Sequence, residues 1–333
     1  MTKTPPELPP KPYQLVSFPK ERPTLQRPVG HHKYLSDRLH GTLYLKLKVQ
    51  TSLHVSTGLV VMGSDIDSKV SLIKTMVQGV DQKLSIQGSS LKGCIRSVYE
   101  AITNSTLGAV TNKYRDKIPQ ERLPCNNQEK LCPASRVFGA LNWQGLLDFN
   151  DATCTNMDFS TGFMPSLYAP RPNHQAYVIR GKVAGRKFYY NTNKAIDKGE
   201  NSGIAVQQAG REYTFVTQLH FKNLLPEELG TLLIALGQDP NYPIALKVGG
   251  GKPIGMGTMT VSIDKIAQPQ SLKERYSSYQ ISASDELTGE KLAQFKQRHI
   301  QTAYLRLIEE DQLKELAAIL RYPSDRQPPT GMY

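Results

Sequence analysis

The sequence predicts an α+β fold, and three patterns lead to that prediction. Residues 41–50 alternate between apolar and polar side chains, as a half-buried strand does. Residues 84–103 place apolar side chains at helical spacing. The complete order is strand, helix, strand, long insertion, strand, helix, strand, which is the β-α-β-β-α-β pattern of a ferredoxin-like fold. RNA-recognition modules share this topology, although it also hosts many other functions.

Charge and composition indicate the kind of partner. The 333 residues include 41 Lys and Arg against 29 Asp and Glu, a net charge of +12. This excess favours a polyanionic partner. No run approaches about 18 apolar residues, so we expect no membrane span. The beginning of the chain lacks the apolar core of a signal peptide, and the few cysteines suit a reducing interior, so a cytoplasmic protein is expected.

The chain divides into three parts. Residues 1–40 are rich in proline and basic side chains and predict an extended arm. Residues 41–265 hold the ferredoxin-like pattern, interrupted by an insertion at about 150–212. Within it, a polar loop follows Gly63 and leads to a short strand that ends at Gly88, and Trp143–Phe149 predicts the second strand of the pattern. Pro226 and Gly237 mark the start and the end of the predicted second helix. Residues 266–333 are polar and then helical over about 284–320, and we expect a helical C-terminal extension.

The first helix begins at a Gly-Ser-Ser sequence, and its start is a candidate anion site. Ser89 or Ser90 is predicted to cap the helix, and Gly88 permits close backbone approach. Lys92 and Arg96 lie one turn apart on one face. Free amides beside two cations suit a phosphate. The alternative is an ordinary amphipathic helix with a solvated basic face. Its predicted apolar stripe comprises Leu91, Cys94, Ile95, Val98 and Ile102.

A glycine-rich run near the end of the predicted core is the second candidate phosphate site. Gly249, Gly250 and Gly251 precede Lys252, and a predicted strand follows at Met259–Ile263. The run is neither a Walker loop nor a dinucleotide fingerprint, because the required Gly-Lys-Ser/Thr and the following helix are absent. Folded against the first helix, it would complete a phosphate cradle. The alternative is a flexible hairpin turn.

The insertion mixes basic side chains with aromatic ones. Aromatic rings can stack on bases while cations hold phosphates, so this mixture suits a nucleic-acid surface. A solvated hairpin with a small satellite core is the alternative. The candidate RNA contacts here are Arg171, His174, Arg180 and Lys182.

Acidic and metal-ligating residues give further candidates. Asp65 and Asp67 lie in a polar loop and could help to bind a divalent ion or orient a ribose 2′-hydroxyl for attack on phosphate, or could be solvated loop acids. His54 is either a core residue at a strand end or an RNA contact. Cys125 and Cys132 are seven residues apart, which is not the spacing of a structural zinc site, so buried thiols are expected rather than zinc.

Taken together, these residues resemble the repeat-associated mysterious protein (RAMP) superfamily of CRISPR systems, and most closely the backbone subunits of type III effector complexes. The leader PYQLVSFP…GHHKYLSDRLHG is similar to the extended N-terminus of subtype III-D members. Four segments in order over about 54–262 carry the resemblance: LHVSTGLVVMGSD, QGSSLKGCIRSVYE, CPASRVFGALNWQGLLDFNDA and GGGKPIGMGTMTV.

The resemblance implies a modified RNA-recognition-motif fold that binds guide (CRISPR) RNA beside other RAMP subunits and the large subunit of the complex. A hairpin thumb would lie within 160–190. Target RNA would be cleaved by a loop aspartate, for which Asp67 fits best and Asp65 is the fallback, with Mg²⁺ as the expected ion. The sequence departs from simple members by extra residues between Asp67 and GSSLKG, and by Ser135 where zinc-binding relatives often have cysteine.

Two other functions remain open at this point. The chain could be a non-catalytic structural or filament-capping subunit of the same complex. It could also be a stand-alone endoribonuclease that processes CRISPR transcripts, a reaction for which His31 and His32 are candidate acid-base groups.

Overall fold

The computed structural model describes residues 12–165, 178–196, 203–268 and 285–329. Short 3-10 turns cover Gly63–Ile66, Asn112–Lys117, Gln120–Arg122 and Lys252–Ile254. The helices are α1 (Gly88–Ile102), α2 (Pro133–Phe138), α3 (Pro226–Ala235), α4 (Gly289–Arg306) and α5 (Glu310–Leu320). The strands are β1 (Tyr13–Ser17), β2 (Leu39–Val49), β3 (Ser56–Met62), β4 (Leu72–Met76), β5 (Ser85–Ile86), β6 (Gly139–Ala140), β7 (Trp143–Gln144), β8 (Leu147–Phe149), β9 (Ala152–Cys154), β10 (Ser160–Pro165), β11 (Val178–Ile179), β12 (Lys182–Val183), β13 (Gly185–Tyr189), β14 (Gly203–Gln208), β15 (Thr214–Leu224), β16 (Leu246–Lys247), β17 (Thr258–Gln268) and β18 (Asp285–Leu287).

The central sheet has the order β16-β17-β2-β15-β9-β5, with β18 paired to β17 and β8 paired to β15. The neighbours β17, β2, β15 and β8/β9 pair antiparallel. With α1 and α3 as the two helices, this is the strand order 4-1-3-2 of the predicted β-α-β-β-α-β topology. The ferredoxin-like α+β prediction is therefore confirmed.

The alternation of β2 explains which face of the sheet is covered. Leu43, Leu45, Leu47 and Val49 are buried, whereas Lys46 and Lys48 on the opposite face are exposed. The stripe of α1 is buried as predicted, except that Cys94 is half-buried. Apolar side chains thus drive α1 onto one face of the sheet and leave the other face open.

The second helix of the pattern has the predicted ends. Pro226 lies in the first turn of α3, where its missing N–H costs nothing. Gly237 follows the helix with a φ of 75°, the left-handed conformation that glycine adopts most easily.

Three predicted elements have different boundaries in the structure. The strand predicted over Trp143–Phe149 is divided into β7 and β8, and the sheet continues in β9. The helical region predicted at 284–320 begins with β18 and divides into α4 and α5. The polar loop predicted after Gly63 contains β4, because a short half-exposed strand gives little periodicity, and the strand predicted to end at Gly88 is the two-residue β5.

A second sheet has the order β10-β14-β4-β3. It joins strands of the insertion to the β3–β4 hairpin, and β14 runs parallel to β4. The isolated bridge between Leu53 and Ala209 connects its base to the end of the central sheet. This arrangement lets the β3–β4 hairpin project from the core.

The described part of the N-terminal arm packs against the rest of the same chain. β1 pairs with β13, and Val16 is buried. The buried guanidinium of Arg122 donates to the carbonyl oxygens of Pro19 and Glu21. None of the helices in the described part of the chain has the length and apolar composition that crossing a membrane requires.

Candidate nucleic-acid interface

The glycine loop adopts a conformation that requires glycine. Gly249 and Gly251 have φ values of 75° and 65°, in the left-handed region. A Cβ atom on Gly249 would collide with the carbonyl oxygen of His54, and one on Gly251 would collide with Met256. The chain therefore turns tightly against its own core here, with Gly251 buried and with Gly249 and Gly250 half-exposed.

The loop presents unpaired backbone donors. The N–H of Gly250 donates to the carbonyl oxygen of His54 at 2.8 Å. Within the described residues, the N–H groups of Gly249, Gly251 and Lys252 have no hydrogen-bond acceptor. Successive amides around left-handed residues form a concave anion site, and the Lys252 side chain adds a cation. The predicted role in phosphate binding thus has a concrete local geometry to support it.

His54 is a core residue that supports this loop. Its side chain is buried, and Nδ1 lies 2.7 Å from the carbonyl oxygen of Gln207. Burial lowers the pKa of the imidazole, and the nearby charge of Lys74 lowers it further. Of the two roles considered for His54, the structure places its side chain in the core and its carbonyl oxygen under the loop.

A buried lysine beneath the loop was not recognised from the sequence. Lys247 Nζ donates to the carbonyl oxygen of Gly255 at 3.1 Å and to Thr258 Oγ1 at 3.0 Å. Thr258 Oγ1 in turn donates to Asn191 Oδ1 at 3.0 Å. Burial lowers the pKa of Lys247 to about 7, with a contribution from Lys252. No sequence pattern connects these residues, which come from distant segments.

The start of α1 differs from the prediction. Gln87 occupies the N-cap position, so the prediction that Ser89 or Ser90 caps the helix is wrong. The N–H of Gly88 is bound by Asp151 Oδ1 at 2.7 Å, and a Cβ on Gly88 would collide with the carbonyl oxygen of Phe149. Asp151 thus accepts a hydrogen bond from the first amide of the helix. Ser89 and Ser90 follow within the first turn, where Ser89 is exposed and Ser90 is half-buried.

The two basic side chains of α1 have different environments. Arg96 Nε donates to Glu100 Oε1 at 2.7 Å, and Arg186 binds the other oxygen of the same buried carboxylate. Lys92 Nζ donates to the carbonyl oxygen of Leu147 at 3.2 Å and forms no ion pair within the described residues. Burial and the charge of Arg96 lower the pKa of Lys92. Lys92 is thus the cation of this face whose charge is not balanced by a carboxylate contact.

A contact between α1 and β16 connects the helix with the glycine loop. Cys94 Sγ donates to the carbonyl oxygen of Lys247 at 3.4 Å, and the charge of Lys252 acts on the Cys94 thiol. The glycine loop therefore packs beside the first half of α1. We call the surface formed by 88–96 and 249–252 the glycine-loop surface.

The two candidate acids lie apart from that surface. Asp65 and Asp67 are exposed on the turn between β3 and β4, where Asp67 has a left-handed φ of 52°. The turn is closed by the N–H of Ser68, which donates to the carbonyl oxygen of Gly63 at 2.8 Å. Because β3 rises about 3.3 Å per residue, the turn stands roughly 20 Å from the base of the hairpin beside His54. We call this turn, residues 63–71, the acidic turn.

The remaining predicted contacts lie elsewhere or outside the described residues. Arg180 is exposed in the turn between β11 and β12, and Lys182 Nζ donates to the carbonyl oxygen of Asp116. This hairpin therefore lies beside the basic 3-10 turn Asn112–Lys117, which the sequence NKYRDK could have indicated. Arg171 and His174 lie outside the described residues.

The open face of the central sheet is less basic than β2 alone suggested. Lys46 Nζ lies 3.4 Å from Asp264, and Lys265 Nζ lies 2.6 Å from Glu286. Lys48 is paired with Glu212. These acids come from other segments, so the alternation within β2 could not reveal them.

The chain has an α+β fold of ferredoxin-like topology, with free backbone amides near Lys92 and Lys252, an arrangement typical of nucleic-acid-binding proteins. The family model described as RAMPs, the RAMP superfamily, matches residues 46–260. The chain belongs to the RAMP superfamily and is thus a CRISPR-associated RNA-binding protein, whose partners include RNA and a CRISPR complex. No curated protein shows significant similarity to the chain.

Proposed function

We propose that the chain is a subunit of a type III CRISPR effector complex, similar to subtype III-D backbone subunits, that holds guide RNA and cuts the paired target RNA. The observation that carries this proposal is the separation of two chemically different surfaces. The glycine-loop surface offers amides and cations to phosphate, whereas the acidic turn offers carboxylates on a projecting hairpin. A guide RNA strand bound at the glycine-loop surface and a target RNA strand near the acidic turn would contact both surfaces.

The guide RNA backbone would contact the glycine-loop surface. The free amides of Gly249, Gly251 and Lys252 would donate to phosphate oxygens, and Lys92 and the side chain of Lys252 would supply charge. None of these groups reads a base edge. Binding would therefore be independent of guide sequence, because the contacts address the RNA backbone alone.

Cleavage would take place at the acidic turn. Asp67 would orient a target 2′-hydroxyl and accept its proton, so that the 2′-oxygen bonds to phosphorus while the bond from phosphorus to the 5′-oxygen breaks and the leaving 5′-oxygen takes a proton from solvent. Asp65, two residues away on the same turn, is the alternative carboxylate. The Asp67 carboxylate would therefore act on the target RNA and would not cleave the guide RNA.

The acidic turn offers two carboxylates to a Mg²⁺ ion. The described residues contain no group of three or more His, Cys, Asp or Glu side chains that could hold a metal ion. Two exposed carboxylates nevertheless suit Mg²⁺, which often takes one or two protein carboxylates and completes its shell with water and substrate phosphate. Asp67, with Asp65, would hold the ion, which would offset phosphate charge.

The test compares Asp67→Asn and Asp65→Asn in the assembled complex. Asparagine keeps the size of the side chain and tolerates the left-handed backbone of Asp67, so the turn should persist. We expect Asp67→Asn to abolish target cleavage at the position of this subunit, with guide binding retained, and Asp65→Asn to keep most activity. Product mapping on a labelled target RNA measures both. Unchanged cleavage in both variants would refute the catalytic assignment.

A non-catalytic structural or capping subunit is the second candidate. It is favoured by the exposure of both acids, which lack a buried partner within the described residues that would fix their geometry. This function predicts the same guide binding and no cleavage position lost in either variant, so the same experiment separates the two functions.

A further inference from the structure

Two cysteine side chains form a contact that the proposed function does not use. Cys125 lies in the irregular segment between α1 and α2, and Cys132 occupies the N-cap position of α2. Thr106 Oγ1 contacts both sulfurs, and the N–H of Cys132 donates to Cys125 Sγ, so the two cysteines are neighbours. Cys125 is half-buried, whereas Cys132 is fully buried.

Polar groups surround this cysteine pair in a way that favours a thiolate. Thr106 Oγ1 donates to Cys132 Sγ at 3.2 Å and lies 3.4 Å from Cys125 Sγ. The N–H of Ser135 donates to Cys132 Sγ, and the N–H of Cys132 donates to Cys125 Sγ, both at 3.4 Å. Three donor groups, the Thr106 hydroxyl and the N–H groups of Ser135 and Cys132, therefore converge on the two sulfur atoms.

The two sulfurs share one proton unequally. Because the two neighbouring sulfurs compete for that proton, the pKa of Cys132 lies well below its ordinary value and the pKa of Cys125 is raised. Two arginines support the negative charge through the surrounding groups: Arg96 Nη2 donates to Ser135 Oγ at 3.4 Å, and Arg186 Nη2 donates to the carbonyl oxygen of Thr106 at 2.8 Å. A thiolate beside a thiol is the arrangement that thiol–disulfide exchange needs.

We propose that Cys125 and Cys132 are a reversible redox modification site, which forms an intramolecular disulfide by exchange with a small-molecule disulfide such as oxidised glutathione. Cys125, the less buried of the two cysteines, attacks one sulfur of the oxidant after passing its proton to Cys132. A mixed disulfide forms on Cys125, and one glutathione thiolate leaves and takes a proton from solvent.

The second step closes the bond within the protein. The Cys132 thiol loses its proton and attacks Cys125 Sγ, so the sulfur–sulfur bond to glutathione breaks and the second glutathione leaves as a thiol. The protein loses two electrons and the one shared proton; oxidised glutathione gains the two electrons, that proton and one proton from solvent. Reduced glutathione in excess reverses both steps.

The other two cysteines provide an internal comparison. Burial raises the pKa of both Cys94 and Cys154. Cys94 Sγ donates to the carbonyl oxygen of Lys247, so its proton is already used in a core contact. Neither has a second sulfur as partner, and neither should react under conditions that oxidise the cysteine pair.

The experiment equilibrates the full-length chain with glutathione buffers of graded ratio, without metal, followed by acid quenching, maleimide labelling and peptide mass mapping. We expect one disulfide between Cys125 and Cys132, seen as the loss of two hydrogen atoms and of two labelling sites. It should disappear on addition of excess dithiothreitol, with Cys94 and Cys154 reduced throughout.

Two variants make the result decisive. Cys125→Ser leaves the N-cap of α2 intact and should abolish the disulfide, with glutathione adducts failing to accumulate on buried Cys132. Cys94→Ser should leave the disulfide and its midpoint ratio unchanged. The proposal is overturned if the folded wild-type chain accumulates only a glutathione adduct on Cys125. It is equally overturned if both thiols remain reduced in every buffer while circular dichroism shows a folded chain.

Discussion

The carbonyl oxygen of His54 accepts the N–H of Gly250 at 2.8 Å and lies where a Cβ atom on Gly249 would have to be. One backbone atom in the connection between β2 and β3 thus supports two glycines of the loop. The geometry of the glycine loop depends on this contact, and with it the direction of the free amides.

Gly249→Ala should weaken RNA binding. The new methyl group collides with the carbonyl oxygen of His54 and must adopt a left-handed φ, so the loop moves and its amides lose their alignment. Loss of one or two charge-assisted hydrogen bonds corresponds to roughly ten- to hundredfold weaker affinity. Fluorescence anisotropy with a labelled single-stranded RNA measures it. Gly58→Ala is the control, because Gly58 has a φ of 87° but no atom within 4 Å. Equal affinity for Gly249→Ala and wild type would show that the loop does not hold RNA.

Gly93→Ala should stabilise the protein and weaken RNA binding at the same time. Gly93 is exposed inside α1, and a Cβ atom at this position would have no neighbouring atom within 4 Å. Alanine there therefore gains roughly 0.5–1 kcal/mol of helix stability. On the glycine-loop surface the added methyl group would hinder close approach of an RNA backbone. Urea unfolding measures the change in stability, and fluorescence anisotropy measures the change in RNA affinity. Higher stability with unchanged affinity would place the RNA away from this face of α1.

Lys247→Met should change how stability depends on pH. The pKa of Lys247 is lowered to about 7 in the folded chain, so between about pH 7 and 10 the unfolded chain binds more protons than the folded one. In that window this lysine makes the free energy of unfolding rise with pH, and its burial is most costly below pH 7. Urea unfolding at pH 6.5 and pH 9 should show a smaller rise for the variant by a few kcal/mol. An identical rise in both proteins would mean that Lys247 stays charged when folded.

Glu100→Gln should destabilise the fold strongly. The buried carboxylate of Glu100 binds Arg96 and Arg186, and its neutralisation leaves two guanidinium groups without a counter-charge. Removing one partner of a buried ion pair costs about 3–5 kcal/mol. Glu129→Gln, which affects an exposed pair with Arg27, should change stability by less than about 1 kcal/mol. Thermal unfolding followed by circular dichroism compares them. Similar small losses in both would indicate that water screens the Glu100 cluster.

Local patterns predicted the frame of this protein. The alternation of β2, the apolar stripe of α1 and the Pro226 and Gly237 signals of α3 are each contained within about fifteen consecutive residues, and the structure confirms them. Sequence reasoning missed features that depend on distant segments. Asp151 displaces the predicted serine cap, and the Lys247–Thr258–Asn191 hydrogen bonds join segments that no period relates. The glycine loop was recognised as a candidate because its composition is local, whereas its support by His54 is a tertiary contact.

The paired lysines on the open face of the central sheet have a consequence for the ionic atmosphere around bound RNA. A cation that already has a carboxylate neighbour releases few counterions when a phosphate approaches, so Lys46, Lys48 and Lys265 add little to the salt dependence of binding. The slope of log affinity against log salt then reports the unpaired cations and stays well below what a net charge of +12 suggests. The formal net charge of this chain therefore exceeds the number of cations that contribute to the salt dependence of RNA binding.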